Sequence, residues 1–289
     1  MKEYSLGLYE KSMPLSLSFE EKLNLTRDSG FDYMEISIDE NDYMLERLDY
    51  PPEKLSEIRA AISNAGISMK SMCFSGQRRY PLGSHDPEIR RKSVELAEKA
   101  FSFSCDLGIR LIQLAGYDVY YEPSDISSLR YFLEGLEIIT ERAAAYGVSL
   151  GFETMETPFM DTVQKAMFFV NLIGSPYLGI YPDIGNLKNA SVIYGHDVVQ
   201  DISLGKHHIL AAHLKETKPG VYRDMRFGSG GHTEYERCIS ELYRQGVRIF
   251  TGEQWYHGEE NYKEILLDSS GFLRSKIESA IASVSPDKK

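Results

Sequence analysis

Four side chains carry the chemistry this sequence can offer: Glu153, Asp183, His213 and Glu253. They sit in the short contexts GFET, YPDI, AHLK and GEQW and are spaced 30, 30 and 40 residues apart, each step the length of one strand-and-helix unit. Three carboxylates and one imidazole, with no thiolate, form an oxygen-rich donor set. It suits one divalent metal ion, Mn2+ or Zn2+, with Co2+ and Mg2+ also compatible. Taken singly, a carboxylate at a strand end is as readily a solvated or helix-capping group. The set weighs differently, because an acid or imidazole flanked by apolar strand residues is costly to bury unless it is paired or bound to a cation.

Arginines supply the second chemical signal. Arg78 and Arg79 follow one apolar run, and Arg223 and Arg226 follow another. Guanidinium forks match phosphate oxygens, although a solvated or salt-bridged arginine is the commoner use of such a position. The run GSGG at 228–231 precedes a helical pattern and could present backbone N–H groups to an anion. Gln113, Tyr117 and Trp255 are candidate pocket walls, Lys215 and Glu216 candidate orienters of His213, and His257 a weaker candidate for the same role.

The elements that must position these groups come in eight rounds. Strand-like runs at 5–9, 33–38, 67–74, 111–116, 148–154, 178–184, 209–216 and 248–255 alternate with amphipathic helical segments. Gly30, Gly66, Gly108, Gly147 and Gly246 close helical patterns just before strands, as left-handed caps do. Ser18 with Glu21 reads as a capping box, and Pro87 as a helix start. Strands separated by helices pair in parallel, are covered on both faces and should be continuously apolar. Eight such units predict an α/β fold, a (β/α)8 TIM barrel in one domain over 1–284, with 285–289 as a disordered tail. In such a barrel the catalytic groups gather at the C-terminal ends of the strands, where the four residues fall on strands five to eight. Neither GxGxxG nor GxxxxGK[ST] occurs.

Bulk properties narrow the partners. A net charge of -11 argues against nucleic acid, so an anionic ligand must meet a local basic site. Cys73, Cys105 and Cys238 lack metal-site spacing and read as reduced thiols. The chain shows neither a leader pattern nor a long apolar span, and a cytoplasmic protein without membrane contact is expected.

The segments SMCFSGQRRYPLGS (71–84), IQLAGYDVYYE (112–122), ETMETPFM (153–160), YPDIGNL (181–187), HLKET (213–217), RDMRFGSG (223–230) and GEQW (252–255) resemble the xylose-isomerase-like barrels. Within that family they are similar to the L-ribulose-5-phosphate 3-epimerases, also called L-xylulose-5-phosphate 3-epimerases, of L-ascorbate utilisation. The resemblance implies that Glu153, Asp183, His213 and Glu253 hold the metal, and that Glu153 and Glu253 are also the acid–base pair. Free-sugar 3-epimerases of this fold carry His where this chain has Asn186, which favours a phosphorylated ketose. The reaction implied is interconversion of L-xylulose 5-phosphate and L-ribulose 5-phosphate through an enediolate. Arg78, Arg79, Gln113, Asn186, Arg223 and Arg226 are the candidates for substrate and phosphate contacts, and a homodimer is expected. The rivals are a hexulose-6-phosphate isomerase or related ketose 3-epimerase, a metal-dependent endonuclease, which the acidic charge and single histidine oppose, and a non-catalytic sugar-binding barrel.

Overall fold

The computed structural model describes residues 3–284, so the tail expected at 285–289 lies outside the described residues. Among these, eight parallel strands form one sheet: β1 (Ser5–Tyr9), β2 (Tyr33–Ile38), β3 (Ser68–Phe74), β4 (Leu111–Ala115), β5 (Ser149–Glu153), β6 (Leu178–Ile180), β7 (Ala212–Leu214) and β8 (Ile249–Gly252). β1 pairs with both β2 and β8. Single bridges, Ile180 to Ile209 and Asp183 to His213, join β6 to the β7 segment and close the barrel. β6 and β7 are shorter than the sequence suggests because Pro182 gives its carbonyl to the His213 N–H at 2.9 Å but has no N–H to return.

Helices follow the strands, among them Phe19–Asp28, Pro52–Ala65, Pro87–Leu107, Ile126–Tyr146, Val163–Ile173, Ile184–Tyr194, Tyr235–Arg244 and Tyr262–Val284. Their ends obey the local chemistry. The Ser18–Glu21 capping box is formed, Pro87 opens its helix, and Gly66, Gly108 and Gly147 cap theirs at positive φ. Met34, Ile36, Leu114, Phe152 and Phe250 face outward and join Leu23, Ile58, Phe101, Phe132 and Leu136 of the helices in the main core. The opposite face departs from the continuously apolar expectation. Tyr33, Glu35, Ser71, Gln113, Tyr181, His213 and Thr251 are fully buried and linked by hydrogen bonds inside the barrel. No helix among the described residues is long and apolar enough to cross a membrane.

One buried ion triad fixes the turn after β1. Glu10 lies 2.7 Å from Lys22 Nζ and 2.8 Å from Arg47 Nη1, and accepts the Ser37 N–H at 2.9 Å. Burial alone would raise its carboxyl, but the Arg47 and Lys22 charges hold it at about 2, below its ordinary 4.5. The stabilisation is therefore complete above pH 4.5 and is lost as pH falls toward about 2. Lys22→Met, which leaves Glu10 half-paired, is expected to cost about 3–5 kcal/mol in urea denaturation at neutral pH. A loss below about 1 kcal/mol, the level of an exposed pair, would show the triad to be dispensable.

Candidate metal centre and active site

The chain delivers its four chemical residues to one point at the C-terminal rim. Glu153 is the last residue of β5, His213 the middle of β7, and Glu253 follows β8 directly. Asp183 is the N-cap of the helix Ile184–Tyr194, its Oδ1 accepting the N–H groups of Gly185 at 2.8 Å and Asn186 at 2.9 Å. That arrangement turns Oδ2 inward. Each residue offers one ligand atom, all within 4.8 Å of one another, and all four residues are buried. His213 Nδ1 lies 3.3 Å from Glu153 Oε1 and 3.4 Å from Glu253 Oε2, so this nitrogen faces the cluster.

Lys215 sits in the same cluster, its Nζ 2.6 Å from Asp183 Oδ2 and 3.1 Å from Glu253 Oε2. Neither contact is aligned as a hydrogen bond. Those two oxygens, with Gln113 Oε1 and Asn186 Oδ1, are buried acceptors without a hydrogen bond among the described residues. Hard, buried carboxylate oxygens beside one imidazole are the donor set of a divalent cation, so the residues present fit the group the sequence implies. The charge balance agrees. Glu35, Glu153, Asp183 and Glu253 face one ammonium and one imidazole, leaving a buried excess of negative charge.

The cluster's protons reflect that excess. Burial raises Glu153, and the Glu253 charge raises it further. Burial pushes Asp183 up to about 8 against the pull of Lys215. Burial would raise Glu253 as well, but Lys215 and His213 outweigh it and hold the carboxyl well below its usual range. Burial would lower His213, yet Glu35 and Glu253 raise it well above an ordinary histidine.

A cavity of about 110 Å³ opens on the cluster, lined by Glu153, Glu253, Asn186 and Lys215 and also by Lys11, Arg78 and Arg223. Arg78 is loosely paired: its Nη1 lies 3.8 Å from Asp39 and 3.7 Å from Glu40, its Nε has no hydrogen bond among the described residues, and it stacks 4.9 Å over Tyr120. Arg223 lies 3.3 Å from Glu156. Gln113 Nε2 donates to Glu153, and Asn186 Nδ2 donates to the Thr154 carbonyl at 2.8 Å. Trp255 walls the cavity, while Tyr117 stands behind Arg78 and donates to Glu156 at 2.7 Å.

Other sequence candidates lie elsewhere. Arg79 pairs with Asp42 at 2.6 Å and Arg226 with Glu259 at 3.2 Å, both about half exposed and outside this cavity's walls. His257 pairs with Asp224 at 3.1 Å rather than with His213. Glu216 does not orient His213. It accepts backbone N–H groups of Thr217, Thr233 and Gly228 and leaves no room for a side chain at Gly231. The GSGG loop therefore wraps the chain's own carboxylate. Sequence reasoning missed Lys11, whose turn carries no spacing signal, and Glu35, whose Oε1 lies 2.6 Å from His213 Nε2. Glu35 had a legible signal, an acid between Met34 and Ile36, the same context that singled out Glu153.

A closed parallel barrel with an acid-rich, metal-capable cluster at its C-terminal rim has its chemical groups where barrel enzymes place their active sites. The family model described as xylose isomerase-like TIM barrel matches residues 23–276, and the chain belongs to that family. The chain is similar to L-ribulose-5-phosphate 3-epimerase UlaE of Shigella boydii serotype 18, 40% identical over 96% of this chain and 97% of that protein. The protein of the same name from Salmonella typhimurium is 37% identical over the same shares. Among solved structures, an L-ribulose 3-epimerase superposes with a TM-score of 0.76 at 17% identity, covering 99% of this chain and 98% of that one. The IOLI protein with a bound zinc atom gives 0.75 at 14% identity, covering 97% and 99%. These structural likenesses speak for the fold; the curated relatives place the chain among enzymes of the isomerase class, as an epimerase.

Proposed function

We propose that the chain interconverts L-xylulose 5-phosphate and L-ribulose 5-phosphate by proton transfer at carbon 3, with one divalent cation held by Glu153, Asp183, His213 and Glu253. The observation that carries this reading is a single cavity lined both by Glu153 and Glu253, from non-adjacent strands, and by Lys11, Arg78 and Arg223. The UlaE relatives are named for this chemistry.

A bound Mn2+ or Zn2+ would supply Lewis acidity to the carbon 2 carbonyl, making the carbon 3 proton removable by a carboxylate. Inversion requires one carboxylate per face of the substrate, the first taking the proton and the second, protonated, returning one. Glu153 and Glu253 serve as that pair. Their surroundings hold them in different protonation states, Glu253 ionised between Lys215 and His213, and Glu153 raised by burial and by Glu253. Gln113 fixes the Glu153 carboxylate by its amide N–H, and Lys215 keeps Asp183 and Glu253 turned into the cluster. Arg78 and Arg223, with Lys11, receive the phosphate.

Arg78→Ala is expected to raise KM for the phosphorylated pentulose about 10-fold or more, the worth of one charge-assisted contact, with kcat little changed. Arg79→Ala should leave both parameters within about twofold, since a surface pair contributes little. Steady-state kinetics on both phosphorylated and free pentulose checks this. Unchanged KM in both Arg78→Ala and Arg223→Ala would move the phosphate site elsewhere.

A further inference from the structure

Beneath the cluster, Glu35 of β2 is fully buried and is used by none of the steps above. Its Oε1 lies 2.6 Å from His213 Nε2. Its Oε2 accepts the Ser71 hydroxyl at 2.6 Å and the Tyr181 hydroxyl at 2.7 Å, with Thr251 Oγ1 at 3.4 Å. Tyr33 completes the layer by bonding Thr251 at 2.7 Å. The His213 ring is also packed edge-on against Tyr181, with centroids 4.8 Å apart.

We infer that Glu35 is the positioning residue of the centre: it fixes which nitrogen His213 offers and strengthens that nitrogen as a ligand. A carboxylate accepts and cannot donate, so Nε2 must carry the hydrogen in this contact. In the neutral ring that a metal ligand must be, the lone pair is then left on Nδ1, the atom that faces Glu153 and Glu253. Burying a charged acid this deeply is costly without partners, and the hydroxyls on Oε2 together with the imidazole N–H supply them. A glutamine could still accept from Nε2, but its amide N–H2 would meet the Ser71 and Tyr181 hydroxyls and its neutral oxygen would polarise the ring less. The inference rests on His213 being a metal ligand, as proposed above.

The test is Zn2+ titration of chelator-stripped full-length protein, with proton NMR of the Zn2+-loaded form and thermal melts as a folding control. Glu35→Gln is expected to bind Zn2+ about 10-fold or more weakly, the usual effect of removing an outer partner of a ligating histidine, and to move the low-field His213 Nε2–H resonance upfield. Ser71→Ala removes a donor from the other oxygen and is expected to lower the melting temperature while leaving Zn2+ affinity within about threefold, below that usual effect. Zn2+ affinity in Glu35→Gln within the same threefold, or an equal weakening in Ser71→Ala, would overturn the positioning role. If Glu35→Gln fails to fold, Glu35→Asp keeps the charge, withdraws it by one methylene and is read against the same limits. Failure of the wild-type protein to take up one Zn2+ would instead refute the metal reading itself.

Discussion

Glu253→Gln is expected to lower kcat for epimerisation by about 10³-fold, in the middle of the range for a positioned acid–base group, and Glu153→Gln to do the same. The reasoning starts from what each amide would face. Glu253 Oε2 lies 3.1 Å from the Lys215 ammonium and 3.4 Å from His213 Nδ1. A glutamine there removes both the proton acceptor and the anion that balances Lys215, and an amide N–H2 turned toward an ammonium is repelled. At position 153 the Gln113 amide already donates to the carboxylate, so a glutamine has only one oxygen to satisfy both Gln113 and a cation. Neither change adds bulk, so circular dichroism should remain native while turnover falls. Full activity in either variant would remove the acid–base assignment.

Stripping the protein with a chelator is expected to abolish turnover, and adding Mn2+ or Zn2+ to restore it. The same cation should raise the melting temperature, since a ligand at 1,000 times its Kd adds about 4 kcal/mol to the folded state. Affinity should also depend on pH with a defined sign. In the cation-free protein Glu153, Asp183 and His213 are all raised, Asp183 to about 8, so they hold protons that binding must release. Affinity is therefore expected to tighten as pH rises through about 8. Calorimetric titration in buffers of different ionisation enthalpy reads the released protons directly. Affinity that weakened over the same rise would mean that the cation does not meet these carboxylates.

The barrel and its centre were legible because each of the four residues sits at or just beyond its strand, so chain spacing carries spatial register. The helix caps were legible for the same local reason: Ser18 with Glu21, Pro87 and the capping glycines act through their own backbone neighbours. What depends on inward and outward alternation was not. β2 reads as one strand-like run, yet its two faces differ: Tyr33 and Glu35 enter the barrel while Met34 and Ile36 pack on helices. Loop side chains escaped as well. Arg78 and Arg79 are adjacent in sequence but take opposite fates, one over Tyr120 in the cavity and the other against Asp42 outside it. Lys11 enters the cavity from the turn that the buried Glu10 triad anchors and pairs there with Asp39, a long-range packing effect without a local mark.

The central claim is proton transfer at carbon 3 of a pentulose phosphate, and proton NMR of Mn2+-reconstituted, desalted protein with L-xylulose 5-phosphate in deuterated water tests it most directly. The account predicts deuterium at carbon 3 together with the appearance of L-ribulose 5-phosphate. Exchange at carbon 1 with an aldose product, or no exchange at any carbon, would contradict it.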